Sequence, residues 1–377
     1  MSPIISFLAF VLVLGGMVFV HELGHFLTAI FSGVKVEEFA FGYGPKLFVI
    51  VRGETQYRIN IFPIGGYVKM LGEEEESDDP RSYGKQPIRN RLLILMAGVV
   101  MNFLLAGVLY FIFLFINSFS LVFPLLADYD FAFADTENTF IISDVEEGSP
   151  AYDAGIESGV IVYSADGQPF PKSDDFQEYV LSHKGEEIQL VVGDVYGNSK
   201  QEISVTPRVS PPEGHGALGV VLFDAVRVSY SGAQKLVAGF THSLNMIGYT
   251  IVLFKDLVLS SIRTGDISYV SESVSGPVGV YVATDFVLRS AGIVGLLDVT
   301  ALMSSSLAFM NLLPFPALDG GHVVLLILEK IRGKKLNPRI ETWLTAGGFF
   351  VLLSLMLLIS AKDLFQYGVI DKLMFWK

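Results

Sequence analysis

Residues 4–31 form an almost unbroken apolar run, long enough to cross a bilayer as a helix, yet they carry His21, Glu22 and His25. A membrane span needs about 20 apolar residues. Each acidic or basic group within the hydrocarbon costs roughly 2.5–3.5 kcal/mol on insertion scales. Folding alone offers nothing to offset that, so three such groups in one span point to a function. In order they read His21-Glu22-Leu23-Gly24-His25, the pattern H-E-x-x-H. On a helix, positions i and i+4 share a face, so both imidazoles can reach one ion. Glu22 lies beside them and can take a proton from water. The alternatives are a signal peptide, histidines that only bond neighbouring helices, and haem ligation. No basic residue precedes the run and no small-x-small site closes it, which weighs against a signal peptide. Haem leaves Glu22 without a task, and two histidines on one helix face cannot take both sides of one haem.

The chain has 377 residues, 51% hydrophobic and only 17% charged, against about 25% charged in soluble proteins. That balance indicates a polytopic membrane protein with some mass in water. Further apolar spans run over 92–116, extending toward Ala127, over 291–313 and over 343–361. The 33–91 stretch holds nine Lys/Arg, and the 322–342 loop holds Lys330, Arg332, Lys334, Lys335 and Arg339. Both are therefore expected to face the cytoplasm, which gives four spans with both termini outside. Residues 232–262 are less apolar and carry Lys235, His242, Asn245, Lys255 and Asp256. Were they to cross, the following span would be inverted, so an interfacial or re-entrant helix is expected there.

The net charge of −13 is concentrated between residues 126 and 210, which contain 17 acidic and four basic residues. Such an acidic domain argues against a nucleic-acid partner. Its β-prone runs (139–145, 160–165, 187–195, 201–206) and one polar helix near 173–183 predict a compact α/β fold. Residues 210–218, SPPEGHGAL, read as a closing linker. In the 33–91 loop, Thr55–Ile61 and Tyr67–Leu71 are short β-like runs, and EEEESDD over 73–79 reads as a solvated acidic loop.

The absence of cysteine leaves only nitrogen and oxygen ligands for a metal. Two histidines are one short of the usual catalytic set. Asp319 is the candidate third ligand, in the segment Asn311-Leu-Leu-Pro-Phe-Pro-Ala-Leu-Asp319-Gly320-Gly321. Pro314 and Pro316 cannot continue a regular helix, and the glycines allow a close turn. Within a membrane, irregular backbone belongs where it is buried in protein or lines a polar cavity. Asp319 as an ordinary helix cap is the plainer alternative. Asn311 could donate to a substrate carbonyl or only bridge helices.

Together these motifs resemble the site-2 protease family of intramembrane zinc metalloproteases, of the RseP type (regulator of sigma-E protease). Phe41-Gly-Tyr-Gly-Pro-Lys-Leu47, Pro63-Ile-Gly-Gly-Tyr-Val-Lys-Met70, Ala97-Gly98 with Asn102, and Ser275-Gly-Pro-Val-Gly279 match further family segments. Ser149-Pro-Ala-Tyr-Asp-Ala-Gly155 resembles a PDZ element, with Gly159-Val160 where Gly-Asp is usual. A single such domain is therefore expected to act mainly as a steric filter.

The resemblance implies a polytopic α-helical fold of about four transmembrane helices, with a membrane-associated β-hairpin and one extracytoplasmic PDZ-like α/β domain. The implied segments begin with the HExxH helix (1–33), a cytoplasmic loop with hairpin (34–91), a second span (92–127) and the PDZ-like domain (138–225). Interfacial or re-entrant helices (226–290), a third span (291–321), a cytoplasmic loop (322–342) and a fourth span with the C-terminus (343–377) follow. The family implies Zn2+ held by His21, His25 and Asp319, with Glu22 as general base. It implies substrate binding by Asn311 and by Tyr57, Ile59, Ile61, Gly65, Gly66 and Tyr67 of the hairpin, whose Tyr57–Phe62 run could add a substrate strand at a free edge. The implied substrates are single-span membrane proteins, such as trimmed anti-sigma factors or remnant signal peptides. They would be cut in the lipid bilayer of a bacterial inner membrane. The rival reading is a metal-binding membrane scaffold without enzymatic activity.

Overall fold

A computed structural model describes residues 2–73, 77–194, 199–212, 214–334 and 337–367. Residues 74–76 of the expected acidic loop, Lys335 of the basic loop and the C-terminal 368–377 lie outside the described residues. The chain divides into two compact units, Met1–Tyr110 with Met246–Lys377, and Phe111–Asn245.

The chain opens with α1 (Pro3–Phe31) and a β-hairpin of β1 (Val36–Arg52) and β2 (Thr55–Met70), followed by α2 (Ile88–Ile116). Next come β3 (Ser120–Pro124), β4 (Asp135–Val145), α3 (Pro150–Asp153), β5 (Val160–Ala165), α4 (Ser173–Ser182), β6 (Ile188–Gly193), β7 (Lys200–Val205) and β8 (Val220–Ser229). The last stretch is helical: α5 (Ala238–Thr264), α6 (Ser268–Ser273), α7 (Pro277–Ser290), α8 (Gly292–Leu312), α9 (Asp319–Arg332) and α10 (Pro338–Gln366).

α1 begins where the Ser2 hydroxyl accepts from the Ile4 N–H, with Pro3 in the first turn, a favoured start. Its 29 residues extend roughly 43 Å at 1.5 Å per residue, more than the ~30 Å hydrocarbon layer. By length and composition, α1, α2, α5, α8 and most of α10 are each able to cross a membrane. The four-span expectation thus meets five candidate helices among the described residues. The fifth is α5, a continuous 27-residue helix in the stretch expected to be interfacial or re-entrant. Two of the polar residues that argued against a span lie buried at its start. The Asn245 amide donates to the Ala132 carbonyl and accepts from the Ala132 N–H, both at 2.9 Å. His242 Nδ1 is 2.9 Å from the Tyr230 hydroxyl.

α1 and α8 nevertheless run the same way. Near the start of α1, the Ser6 hydroxyl bonds Asp285 of α7, just before α8, and Phe10 meets Tyr281 edge-to-face at 5.9 Å. Toward the end of α1, His21 meets Asp319, just past α8. Asp363 of α10 is fully buried and accepts the Gly276 and Gly279 N–H groups at 2.8 and 2.9 Å, seating the first turn of α7 on α10.

The hairpin is longer than the two short β-runs expected. Gly42 and Gly44 lie at φ +81° and +91°, so the FGYGPK segment bends one long strand. β2 is flanked on both sides over part of its length: Tyr57 lies opposite both Phe39 and Ile50, and Ile59 opposite both Phe41 and Phe48. The Gly66–Met70 stretch pairs with the Val36–Phe41 stretch. Leu47, Phe48, Val49, Ile50 and Val51 are all exposed, as a strand meeting lipid would be.

The second unit carries a six-stranded antiparallel sheet in the order β3-β8-β4-β5-β6-β7. Its core centres on Phe140, Ile142, Phe176 and Leu190. β5, β6, β7 and α4 fall close to the expected positions. β3 does not: the apolar run beyond 116 was read as more of the second span. Ser118 and Phe119, at φ +57° and +59°, end the helix, and the run that follows pairs with β8. The SPPEGHGAL stretch is a connection and not an end, since β8 lies beyond it, between β3 and β4.

Candidate metal centre

The i, i+4 spacing on α1 sets the His21 and His25 rings side by side, nearly perpendicular, with centroids 4.8 Å apart. Both are buried. Their Nε2 atoms are 3.2 Å apart. Asp319 Oδ2 lies 3.2 Å from His21 Nε2 and 3.5 Å from His25 Nε2. Among the described residues this is the one group of three or more His, Cys, Asp or Glu side chains arranged to hold a metal.

Each partner is fixed from behind. The Ile94 carbonyl accepts from His25 Nδ1–H at 2.8 Å, which leaves the His25 Nε2 lone pair aimed at the centre. Asn102 is 3.2 Å from His21 Nδ1. Gly98 lies against both rings: a Cβ there would stand 2.4 Å from His25 Nε2 and 2.6 Å from His21 Cε1. The helices touch at Gly24, where a Cβ would stand 2.5 Å from the Ala97 oxygen.

Asp319 arrives through the proline segment. α8 stops at Leu312, Ala317 takes a left-handed φ of +77°, and Asp319 opens α9. That φ costs a non-glycine residue roughly 1–2 kcal/mol. Gly321 permits the close return, since a Cβ would stand 2.2 Å from the Phe315 oxygen. Gly348 of α10 packs on this loop, where a Cβ would stand 2.3 Å from the Pro316 oxygen. Farther along α9, Glu329 accepts from the buried Arg91 guanidinium of α2 at 3.0 and 3.1 Å.

Two imidazole nitrogens and a carboxylate oxygen thus point at one another, and Asp319 Oδ2 has no hydrogen-bond donor. Three such atoms, all within 3.5 Å of one another, fit a cation. The set (two nitrogens, one oxygen, no sulfur) is that of catalytic zinc with a position left for water.

The other expected residues divide. Glu22 lies one residue from His21, and a Cβ on Gly66 would stand 3.0 Å from Glu22 Cγ, so β2 passes against that carboxylate. Gly65, at φ +89°, lies under the Tyr43 ring. The Tyr43 hydroxyl donates to the Gly66 oxygen at 2.9 Å. Tyr67 stacks on Tyr43 and donates to Glu38 at 2.9 Å. Tyr57 packs on Phe26 and Phe39, and with Ile59 it lies where strands run on both sides. The Tyr57–Phe62 run therefore offers no open edge over Tyr57–Ile59, contrary to expectation. Ile59 and Ile61 are exposed. Asn311 is half-buried in the last turn of α8. Sequence reasoning gave no task to Asn102, Gly98 or Tyr43. The signal for Asn102 was present: it is the one amide between residues 92 and 116, and an amide in hydrocarbon needs a partner.

A helix that sets two histidines where they can share one ion, with an acid beside them inside an apolar segment, fits a metalloprotease of the membrane. Peptidase family M50 matches residues 9–355, and the chain belongs to that family, the site-2 proteases. A Clostridium acetobutylicum protein named as a zinc metalloprotease is 33% identical over 362 residues, covering 96% of each chain. The regulator of sigma-W protease RasP of Bacillus subtilis is 26% identical, covering 95% of this chain and 97% of its own. The chloroplastic membrane metalloprotease ARASP of Arabidopsis thaliana is 28% identical, covering 98% and 81%. A PDZ domain of an SdrC-like protein from Listeria monocytogenes is 22% identical over 22% of this chain and 85% of its own, at a TM-score of 0.20, too slight a likeness to bear on the fold. The chain is a zinc metalloprotease of the membrane, acting on membrane-protein substrates within the bilayer.

Proposed function

We propose that the protein cuts the transmembrane segments of single-span membrane proteins, with Glu22 as general base and His21, His25 and Asp319 as the zinc ligands. The observation that carries the proposal is the convergence of these three donors inside an apolar bundle, beside a carboxylate that touches a β-strand. His21, His25 and Asp319 would hold a zinc ion, which when bound would supply Lewis acidity to a water and to the scissile carbonyl. Glu22 takes the proton from the attacking water and returns it to the leaving nitrogen. Asn311 donates toward the carbonyl oxygen as negative charge develops.

A helical substrate hides its scissile carbonyls in its own hydrogen bonds and must first unwind. Gly65, Gly66 and Tyr67 belong to the stretch of β2 that can receive the unwound segment by strand addition, since that stretch pairs with one strand stretch alone. Tyr57, Ile59 and Ile61 shape this sheet from within and from its exposed face. The acidic sheet unit is a PDZ-like filter on the extracytoplasmic side of a bacterial inner membrane, admitting substrates already trimmed of bulky outer domains. Trimmed anti-sigma factors and remnant signal peptides have that form.

The test is purified protein with a single-span model substrate, with and without a zinc chelator. Cleavage lost on chelation, restored by zinc and abolished in Glu22→Gln is expected. Full activity of Glu22→Gln removes Glu22 from the mechanism, and chelator-resistant cleavage removes the metal.

A further inference from the structure

We infer that Asn102 is a positioning residue for His21, with its side-chain carbonyl accepting the proton on His21 Nδ1. A histidine that offers its Nε2 lone pair to a metal carries its proton on Nδ1, and that proton needs an acceptor. His25 has one in the Ile94 carbonyl. At His21 the neighbour is Asn102, fully buried, with Nδ2 at 3.2 Å and Oδ1 left without a partner. Two ends of an amide have the same shape, and rotating the group by half a turn exchanges them without moving another atom. The exchange places Oδ1 on the Nδ1–H. It removes a donor-to-donor contact and gives Oδ1 a partner, and Nδ2 then takes the place that Oδ1 held. The opposite arrangement, with the amide donating to Nδ1, would put the proton on Nε2, where it blocks coordination.

The backbone carries the same link onward. The Ser304 hydroxyl of α8 donates to the Asn102 carbonyl at 2.9 Å. α8 leads to the Asp319 loop, so Asn102 joins the first histidine to the helix that delivers the third donor. In α2, Ile94, Gly98 and Asn102 recur at every fourth position and form one stripe. Each serves the same pair of rings, as anchor, clearance and anchor.

This inference rests on His21 being a zinc ligand. The experiment measures zinc affinity by chelator competition in Asn102→Leu, Asn102→Asp and His21→Ala, together with the visible spectrum of the cobalt-loaded forms. Asn102→Leu keeps the volume and loses the acceptor. It should bind zinc about 10–100-fold more weakly and shift the cobalt bands. Asn102→Asp keeps an acceptor and should stay within about threefold of the unaltered protein, the margin being small against the 10–100-fold range. Leu-variant affinity within twofold with unchanged bands overturns the inference, as does an Asp variant as weak as the Leu variant. If His21→Ala itself binds zinc normally, the ligand assignment fails instead. Should Asn102→Asp fail to fold, 15N-histidine spectra of the unaltered chain decide: a proton on His21 Nδ1 supports the inference, and a bare Nδ1 overturns it.

Discussion

Gly98→Ala adds one methyl group at the point where α2 touches both imidazoles. That methyl would stand 2.4 Å from His25 Nε2 and 2.6 Å from His21 Cε1. Carbon needs about 3.5 Å, so each ring must retreat by roughly 1 Å. His25 cannot retreat without stretching its 2.8 Å bond to the Ile94 carbonyl. Backing α2 away instead opens the Gly24–Ala97 contact. Overpacking of this kind costs ~1–3 kcal/mol. At about 1.4 kcal/mol per factor of ten, zinc affinity should fall by roughly 5–150-fold. The same substitution favours the helix by ~0.8–1 kcal/mol, which offsets only part of that cost, so the chelated protein should lose up to ~2 kcal/mol of stability. The assay is chelator competition for zinc beside thermal unfolding in detergent with zinc removed. Zinc affinity within twofold of the unaltered protein would refute the reasoning, because the rings would then have somewhere to go.

Three further outcomes are expected. Glu22→Gln should keep zinc affinity within about threefold and lose cleavage by ~100-fold or more; retained cleavage in a single-turnover assay counts against the base. Arg91→Met alone should cost at most about 3 kcal/mol by stranding the partly buried Glu329 carboxylate, whereas Arg91→Met with Glu329→Leu should be nearly neutral. Equal losses from the single and double changes in a detergent unfolding titration would exclude that pairing. In the sheet unit, Asp166 accepts from the Tyr179 hydroxyl at 2.7 Å and the Gln189 N–H at 2.9 Å. These bonds lower its pKa and push Tyr179 up to about 12. The stability that Asp166 contributes is therefore present above the ordinary Asp range and lost as pH falls through its lowered folded value. A thermal unfolding profile for this unit that falls in acid for the unaltered protein, with that part of the fall absent in Asp166→Asn, is the expected result.

The metal centre was the most legible part of the chain because its logic is local and costly. His21 and His25 share a face by helical spacing alone, and a charge in hydrocarbon has few excuses. Asp319 needed more, since nothing in the sequence measures the distance between α1 and α9; the paired signature supplied it. The supporting residues were harder to see. Gly98 matters through an atom it lacks, and Asn102 through the ring behind it. β1 was hidden because glycine and proline usually break strands, whereas here they bend one. In α5, His242 and Asn245 are buried against Tyr230 and Ala132, contacts that composition does not reveal. The Tyr57–Phe62 run has the composition of a strand, but composition does not reveal whether a strand lies at an edge.

The contact between His21 and Asp319 joins two points near opposite ends of the polypeptide. While the chain is being synthesised and threaded into the bilayer, the first two donors are in place early and the third does not yet exist. Most of the molecule must be made before the cluster closes. A protease assembled in this order stays inert through its own biogenesis, because the last helices to arrive complete the cluster.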